Sequence, residues 1–558
     1  MENIEAKVKT VDVLPMVWHY IDKLELYSIF QKYIPKPKNS KLEPAQVLCM
    51  MVTNIICATK PLYMVEEWLA DYTDGLSEQP LNASLYNDDQ LGRTTDRLFD
   101  ADRASMLTEI SAKAIEIYNL ETNQIHNDST SVTLIGKYNI EDSASVKLTQ
   151  GFNKDHRPDC KQIVFGLNIT ADGYVPISFQ LFDGNRTDDT THIPNWQELS
   201  DMLGKEDFIY VADCKLCSAE NLAYIAGNDG IFITILPRNR VQVKKFYEQL
   251  MDNPVEWQDA YSVPNSRKKD QLIVYQTHES SKTPEGYRII WVHSSSKEVQ
   301  DRNRRENRIK KVEQELEELR SGLNKYYLKT KDRIQDAVDK KCKGVKDIIQ
   351  VKIVEEKQIK KVQTTCGKPG PKTEYREVEI ITYDIKWQID DETVEKKSRT
   401  DGIFPLITNS ELEASKVLQI YKEQPYLEKK MNTTKSILEI APVFLKLPRR
   451  IEAITFLYFV ALMIISLIER NIRRNMQIEG SEKLPILPQG MNTKRPTWNN
   501  LNYFFRNVHL SIIEVNGSIQ SSTVKGFTKL HEKICRLIEV PFSVYQNLQN
   551  NWWQFDSG

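Results

Sequence analysis

Apolar residues recur with helical spacing through the first 118 residues of the chain. Runs such as 45–56 and 93–118 place a hydrophobic side chain at every third or fourth position, and prolines such as Pro44 and Pro80 interrupt them. A hydrophobic stripe of this period is typical of helices that bury one face. The pattern therefore predicts an all-α N-terminal domain over residues 1–120.

After Glu121, short segments rich in β-branched residues alternate with helical ones. Ala171-Asp172-Gly173 predicts a hairpin turn. The order β-β-β-α-β-α-β predicts a mixed sheet that begins with a meander, and residues 121–240 form the first part of this α/β core. The predicted strands are 123–136, 161–170, 174–182, 207–214 and 231–239, and the predicted helices are 192–203 and 218–227.

This alternation stops in residues 241–400, which predict a strand-rich insertion. Residues 301–345 are highly charged, and their apolar positions are separated by three and four residues in turn, which predicts a solvated coiled-coil arm. These apolar positions are Ile309, Val312, Leu316, Leu319, Leu323 and Tyr326. The predicted strands of the insertion are 271–277, 287–295, 345–356 and 377–389.

Helical periodicity returns after Ser410. It predicts that residues 401–475 form the second part of the core and that 476–558 form a helical C-terminal region. Pro425 either kinks the first of these helices or splits it in two. The apolar segment 453–468 is shorter than the ~20 residues of a membrane span, which favours a helix buried inside the protein. The predicted helices are 411–437, 450–473, 497–514 and 524–540.

Composition narrows the class of protein only in part. The chain has 40% hydrophobic and 27% charged residues, which is the balance of a globular protein, and its net charge of −2 neither supports nor excludes nucleic acid as a partner. Eight cysteines in 558 residues are too sparse for a disulfide framework and suit a reducing cytoplasm. The first residues do not read as a signal peptide. We therefore expect a cytoplasmic protein without a membrane partner.

Two carboxylates occupy unusual places in the predicted sheet. Asp128 lies in the middle of the first strand, where acids are depleted. Asp213 directly follows the buried run of the fourth strand, at the edge where α/β proteins place ligand sites. The alternative readings are a solvent-facing residue of a strand edge for Asp128 and a helix N-cap for Asp213.

A third carboxylate lies on the predicted helix 411–437. Tyr421, Gln424, Glu428 and Lys435 follow one another at steps of 3, 4 and 7, and they share one stripe if Pro425 only bends the helix. A solvated face with local ion pairs is the alternative. Three carboxylates from two strands and a helix can hold two Mg²⁺ ions, which prefer oxygen ligands. Two such ions stabilise both the attacking and the leaving oxygen of a phosphodiester displacement.

The order and spacing of these residues resemble the DDE transposases of bacterial insertion sequences, specifically the insertion-sequence-four superfamily. That family has an RNase-H-like core with the first Asp on strand one and the second after strand four. A strand-rich insertion follows, and then a helix with the signature Tyr, two residues, Arg, three residues, Glu, six residues, Lys. Here Gln424 stands in the place of the Arg. Residues 151–162 resemble a second motif, with Asn153 in the place of its Ser.

The resemblance covers most of the chain, roughly residues 1–475. It implies an RNase-H-like catalytic core in an α/β protein whose N-terminal domain is all-α and whose β-rich insertion carries the helical arm 301–345. It implies that Asp128, Asp213 and Glu428 are catalytic and hold two Mg²⁺ ions, for which Mn²⁺ would substitute. The residues implied to contact DNA are Tyr421, Gln424, Lys435, Lys154, His156, Arg157 and Arg238.

The implied activity is metal-dependent cleavage of transposon ends followed by strand transfer into target DNA. The implied partners are the terminal inverted repeats, target DNA and a second copy of the chain on paired ends, at the nucleoid. The N-terminal domain is then either a DNA-end-binding domain or a packing and dimerisation module. Two further functions stay open. One is an RNase-H-like nuclease or resolvase without strand transfer, and the other is an inactive transposase-derived DNA-binding protein.

Overall fold

The computed structural model describes residues 4–548 except 59, 74–81, 135–141, 153–156, 266–269, 281, 365, 372, 438–446, 517 and 547. The backbone divides into two compact units, Met1–Thr234 with Gln419–Gly558, and Ile235–Leu418. The sequence placed the corresponding boundaries at 240/241 and 400/401. The protein is of the mixed α/β class and includes a large mixed sheet.

The N-terminal part of the first unit consists of one strand and six α-helices. Prolines in the first turn of two helices take positions where a backbone N–H is not needed, and the side chains of Asn87 and Asp102 cap two others. The elements are β1 (Ile4–Thr10), α1 (Leu14–Lys23), α2 (Leu26–Tyr33), α3 (Pro44–Cys57), α4 (Val65–Thr73), α5 (Asp88–Asp100) and α6 (Arg103–Tyr118).

The next segment contributes five strands of the large mixed sheet, together with two α-helices in its described part. Its elements are β2 (Gln124–Leu134), β3 (Lys161–Thr170), β4 (Pro176–Asp183), α7 (His192–Leu203), β5 (Ile209–Val211), α8 (Ala219–Gly227) and β6 (Ile231–Ile235). The strands lie in the order β4-β3-β2-β5-β6. The first three form an antiparallel meander, whereas β5 and β6 run parallel to β2. The predicted order of elements is confirmed, although β5 has three residues where eight were predicted.

The second unit contains four antiparallel strands and a long ribbon. The four strands follow the order β12-β9-β8-β7, and in the ribbon β10 pairs with β11 over fifteen residues. The elements are α9 (Val241–Asp252), β7 (Gln258–Pro264), β8 (Leu272–Glu279), β9 (Arg288–Ser294), α10 (Ser295–Ser321), α11 (Lys331–Lys341), β10 (Ile349–Gln363), β11 (Tyr375–Ile389), α12 (Asp391–Ser398) and β12 (Ile403–Thr408).

The predicted coiled-coil seam is buried against the unit's own elements. Ile309, Val312, Leu316 and Leu319 of α10 form one hydrophobic cluster with residues of α11, β10 and β11. Tyr326 lies beyond the end of α10 and is 89% exposed, so its assignment to the seam is wrong. The arm is therefore a helical hairpin that packs on a β-ribbon.

The chain then completes the first unit. The elements are α13 (Ala414–Tyr421), which spans the division between the units, α14 (Gln424–Ile437), α15 (Pro448–Ile478), α16 (Trp498–Phe505), β13 (His509–Val515), β14 (Ser518–Lys525), α17 (Lys529–Leu537) and α18 (Ser543–Gln546). Pro425 splits the predicted helix 411–437 in two, because proline is tolerated in the first turn of a helix and disrupts its interior.

The prediction of helices alone at the two ends of the chain is wrong. β1, β13 and β14 form a three-stranded antiparallel sheet, in which Ile4 lies opposite Val515. The predicted helix 497–514 therefore ends at Phe505. Residues about 500 positions apart in sequence supply each other's backbone hydrogen bonds here, and local periodicity does not encode such a partner.

Helix α15 packs against α3, α5, α17 and β4. Among the described residues, α15 is the one helix that is long and apolar enough to cross a membrane. Pro44–Cys57 and Leu62–Ala70 reach the same length and apolar character only when they are counted together. However, 89% of the most apolar window of α15 is buried inside the protein, as the sequence predicts for a helix that is apolar on all sides.

Candidate active site

Asp128 lies on β2 just beyond the point where the neighbouring strand ends. The parallel pairing of β2 with β5 ends with His126 opposite Val211, two residues before Asp128. The carboxylate Oδ1 accepts a hydrogen bond from the backbone N–H of Ser129 at 2.7 Å, and the side chain is half-buried. Asp128 therefore lies where β2 has lost its neighbour on one side and is open to a ligand.

Asp213 occupies the corresponding position on β5, two residues beyond Val211. Because β2 and β5 are parallel neighbours, both acids lie at the same carboxyl-terminal edge of the sheet. The carbonyl oxygen of Asp213 accepts a hydrogen bond from Thr234 Oγ1 at 2.5 Å, and its Oδ1 accepts one from the N–H of Lys215 at 2.9 Å. The side chain of Ser218 caps α8, which excludes the N-cap reading of Asp213.

Gln424, the first residue of α14, attaches this helix to β2. Its side chain is buried, with 7% exposed. Its Oε1 accepts from Nδ1 of His126 at 2.7 Å, and its Nε2 donates to the carbonyl oxygen of Asn127 at 2.8 Å. Both bonds lie immediately before Asp128 in the strand. Gln424 is thus an internal tether between α14 and β2, and its contact with DNA stays a prediction.

Glu428 follows Gln424 by one helical turn. Residues four positions apart lie on the same face of a helix and about 6 Å apart along its axis. Glu428 therefore shares the face with which Gln424 contacts β2, and its side chain is exposed. The tether consequently holds the third acid near the edge that carries the first two.

Tyr421 lies at the end of α13, where the charges of all three acids act on its hydroxyl group. Burial raises the pKa of its phenol, and the negative charges of Asp213, Glu428 and Asp128 raise it further. Each of the three carboxylates is therefore within electrostatic range of this one hydroxyl.

The donor chemistry of this site suits Mg²⁺, although no group of three or more His, Cys, Asp or Glu side chains among the described residues is arranged to hold one ion. Mg²⁺ keeps several waters and is commonly bound through one or two carboxylates together with substrate phosphates. In a two-ion arrangement each ion needs only part of the triad. Asp128, Asp213 and Glu428 supply oxygen ligands of the kind that Mg²⁺ prefers.

Five further residues were predicted to contact DNA, and the structure describes the side chains of only some of them. Lys154 and His156 lie outside the described residues, and Lys435 belongs to α14 but its side chain is not described. Arg157 forms a two-bond ion pair with Asp159, at 2.9 and 2.8 Å, which holds the pKa of that carboxyl well below its usual range. Arg238 follows β6 in the second unit. Of these five residues, the structure describes the side chains of Arg157 and Arg238 only, and the assignment of all five to DNA stays a prediction.

Comparisons with known proteins give limited support. A family model described as a domain of unknown function (DUF4277) matches residues 6–112, the N-terminal helical part. No curated protein matches the chain. The chain is similar to a solved structure of a piggyBac transposase synaptic complex with hairpin DNA, at 9% sequence identity and a TM-score of 0.38, over 98% of this chain and 87% of that one. A similarity at this TM-score does not establish a shared fold.

Sequence reasoning missed a buried polar network behind Asp128. Asn127 Nδ2 donates to Asn168 Oδ1 at 2.8 Å, and the Asn168 amide donates to Asn195 Oδ1 at 2.7 Å. Asn195 in turn donates to the hydroxyl of Tyr210 at 2.8 Å. This network connects β2, β3, α7 and β5 and fixes the backbone on which the acids stand. Asn127 and Asn168 within apolar strands were the available signal, because buried amides require partners.

A buried ion pair holds the other side of α14. Lys430 Nζ donates to Glu469 Oε2 and to Ser466 Oγ of α15, each at 2.8 Å. Glu469 also accepts a bond from the backbone N–H of Trp498 at 2.9 Å. Lys430 and Glu469 are 6% and 8% exposed. Together with the Gln424 tether, this pair fixes α14 on two faces, and a charge within the apolar helix α15 was the signal for it.

Proposed function

We propose that this chain is a DDE-type transposase, which cleaves and joins DNA phosphodiesters through Asp128, Asp213 and Glu428 on an RNase-H-like core. The placement of one acid on the first core strand and another after the fourth supports this proposal. So does the third acid on a helix that is tethered beside the first. These are the positions that the sequence resemblance implies for the family.

The observation that carries the proposal is that Asp128 and Asp213 lie in register at one edge of the sheet, beside the helix that Gln424 tethers to β2. Carboxylates that share one edge repel one another unless a cation lies between them. Two Mg²⁺ ions would supply that positive charge and stabilise the attacking and leaving oxygens of a phosphodiester. The strand edge at Asp128 and Asp213 and the exposed face at Glu428 leave room for a DNA backbone.

The residues of the site then have distinct roles. The three carboxylates bind cations and orient the scissile phosphate between them. Tyr421 is protonated at neutral pH, as an ordinary phenol is, and it would donate to a phosphate oxygen. Gln424 holds Glu428 in place, and we expect Lys435, farther along α14, to contact the phosphate backbone as a point charge.

Cleavage of the DNA that flanks the gene is the direct test. Labelled duplexes from both flanks would be incubated with the purified chain and Mg²⁺ or Mn²⁺, and nicks and transfer into a plasmid would be measured. The test variants are Asp128→Asn, Asp213→Asn and Glu428→Gln. Glu220→Gln is the matched control, because Glu220 is an exposed glutamate on helix α8 of the same unit.

We expect metal-dependent nicking at a defined position, about a thousandfold slower in each test variant and unchanged in the control, because a carboxylate–metal contact contributes several kcal/mol. Nicking without joined products would assign a nuclease without strand transfer. Specific binding with no cleavage by the wild-type chain under either metal would refute the proposed activity and favour an inactive DNA-binding protein.

A further inference from the structure

A groove of about 940 Å³ lies beside the catalytic helix, within the first unit. The turn between β3 and β4, the C-terminal half of α15 and the segment around Arg495 form its walls. Five basic and two acidic side chains line it, the acids being Asp172 and Glu482. The basic side chains are Arg470, Arg473, Arg474, Lys494 and Arg495. This local excess of positive charge contrasts with the net charge of −2 of the whole chain.

Most of this positive charge is not neutralised inside the protein. Arg473 pairs with Glu469 at 3.1 Å, but Arg474 and Lys494 are exposed and form no ion pair within the part of the chain that the structure describes. Burial lowers the pKa of Arg473, and the nearby charge of Arg495 lowers it further. The five cations of the groove thus outnumber the two acids that line it, and such an excess of positive charge favours an anion.

Arg470 has hydrogen-bonding capacity that the protein does not use. It is 4% exposed, and one of its nitrogens donates to Asp172. Its Nε and Nη1 are buried and have no hydrogen-bond partner among the described residues. Buried guanidinium nitrogens are costly to leave unsatisfied. Because Arg470 lines the groove, its charge adds to the positive charge that an anionic ligand there would meet.

An aromatic pair joins the groove to the helix that carries Glu428. The rings of Tyr174 and Tyr426 stack with centroids 4.3 Å apart, and the Arg495 guanidinium lies 4.2 Å from the Tyr426 centroid. Tyr174 has a φ of +62°, an uncommon conformation for a bulky residue, which the adjacent turn imposes. Tyr426 stands two residues before Glu428 on α14, so the groove wall and the catalytic acid belong to one element.

We propose that this groove binds the phosphodiester backbone of the DNA substrate as it leaves the active site. The inference rests on the proposed function and deepens it by assigning Arg470, Arg474, Lys494 and Arg495 to backbone phosphates. Arginine forks and exposed lysines spread along a groove suit a chain of phosphates, and stacked tyrosines suit the sugars and bases between them. No base-specific contact is required.

The test is the salt dependence of DNA binding by the full chain without metal, so that no cleavage occurs. The anisotropy of a fluorescein-labelled duplex of mixed sequence would be measured for the wild type and for Arg474→Ala/Lys494→Ala/Arg495→Ala. The matched control is Arg506→Ala/Lys525→Ala/Lys529→Ala. It removes three exposed charges of the same unit, one of them an arginine 3.9 Å from a tyrosine ring centroid.

For the groove variant, we expect the slope of log K against log salt to fall by about 2 to 3, because each lost phosphate contact removes ~0.9. We expect the control variant to keep the slope of the wild type. The variant Arg474→Lys/Arg495→Lys retains both positive charges and should retain the slope of the wild type. It therefore distinguishes the loss of charge from an effect of substitution on folding. Equal slopes for the groove and control variants overturn the proposal. A second result also overturns it. In that case, calorimetry shows that the wild type binds inorganic phosphate and the groove variant does not, but both bind the duplex with the same affinity.

Glu428→Gln separates this proposal from the proposed function. It should bind the duplex with the slope of the wild type, because Glu428 contributes no positive charge. If the wild type cleaves with Mg²⁺ but the groove variant keeps its slope, the groove proposal alone fails. If the slope falls as expected but no protein cleaves, the groove proposal stands and the catalytic one fails.

Discussion

Replacing Gln424 by methionine tests whether the Gln424 tether fixes the catalytic helix. The two side chains are similar in length, but methionine can neither accept from His126 nor donate to Asn127. The bonds lost are those at 2.7 Å to the imidazole Nδ1 and at 2.8 Å to the carbonyl oxygen. Both protein groups are buried and would be left without these partners.

The expected cost follows from those two groups. A buried polar group without a partner costs about 1–3 kcal/mol, which gives roughly 2–6 kcal/mol for the pair. The apolar methionine side chain recovers part of this, on the order of 1–2 kcal/mol. We therefore expect the free energy of opening between α14 and β2 to fall by about 1–4 kcal/mol.

Amide hydrogen exchange of α14 measures this opening directly, without assuming that the whole chain unfolds in one step. At ~1.4 kcal/mol per tenfold change, exchange in α14 should accelerate roughly 5- to 700-fold. Gln419→Met is the control, since Gln419 is exposed and nearby in sequence. If exchange in α14 is unchanged in a folded Gln424→Met protein, Gln424 does not hold the helix, and the reasoning about Glu428 fails with it.

Two further predictions concern the surroundings of the site. Burial works against the charge of Glu469, yet Lys430 and its neighbours hold the Glu469 pKa below its ordinary 4.5. A carboxyl with a lowered folded-state pKa stabilises the protein above pH 4.5, and this contribution is lost as pH falls through the folded-state pKa. In Glu469→Gln, the free energy of unfolding should therefore depend less on pH below 4.5. Unaltered acid unfolding, followed by circular dichroism, would contradict this. Gly173 has a φ of +77°, and an added Cβ would lie 2.5 Å from Arg470 Cγ. Gly173→Ala should therefore lower the thermal midpoint more than Gly204→Ala, where φ is +64° but the Cβ would meet no atom within 4 Å. Equal thermal midpoints for the two variants would show that the Arg470 side chain moves away from the added Cβ at no cost in stability.

The sequence was most informative where the physical signal is local. Alternation of β-branched runs with helical ones predicted the order of the core from β2 to β6, because each element needs only its own residues to define its buried face. Asp128 and Asp213 stood out for the same reason, since an acid within or just after an apolar run is conspicuous without knowledge of its neighbours. The spacing around Glu428 added the third acid.

Tertiary structure decided what lies against those faces. Gln424 appears in the sequence as a polar residue on a helical stripe, but its partners on β2 lie about 300 positions earlier in the chain. Strand β13 forms because β1 pairs with it, and a segment that could continue a helix becomes a strand when such a partner is available. The groove collects Asp172, Arg470 and Arg495 from three separate segments. The sequence by itself determined which residues could do chemistry and which faces were apolar. Long-range hydrogen bonds and packing decided which of those residues meet, because their energies depend on partners that no local pattern specifies.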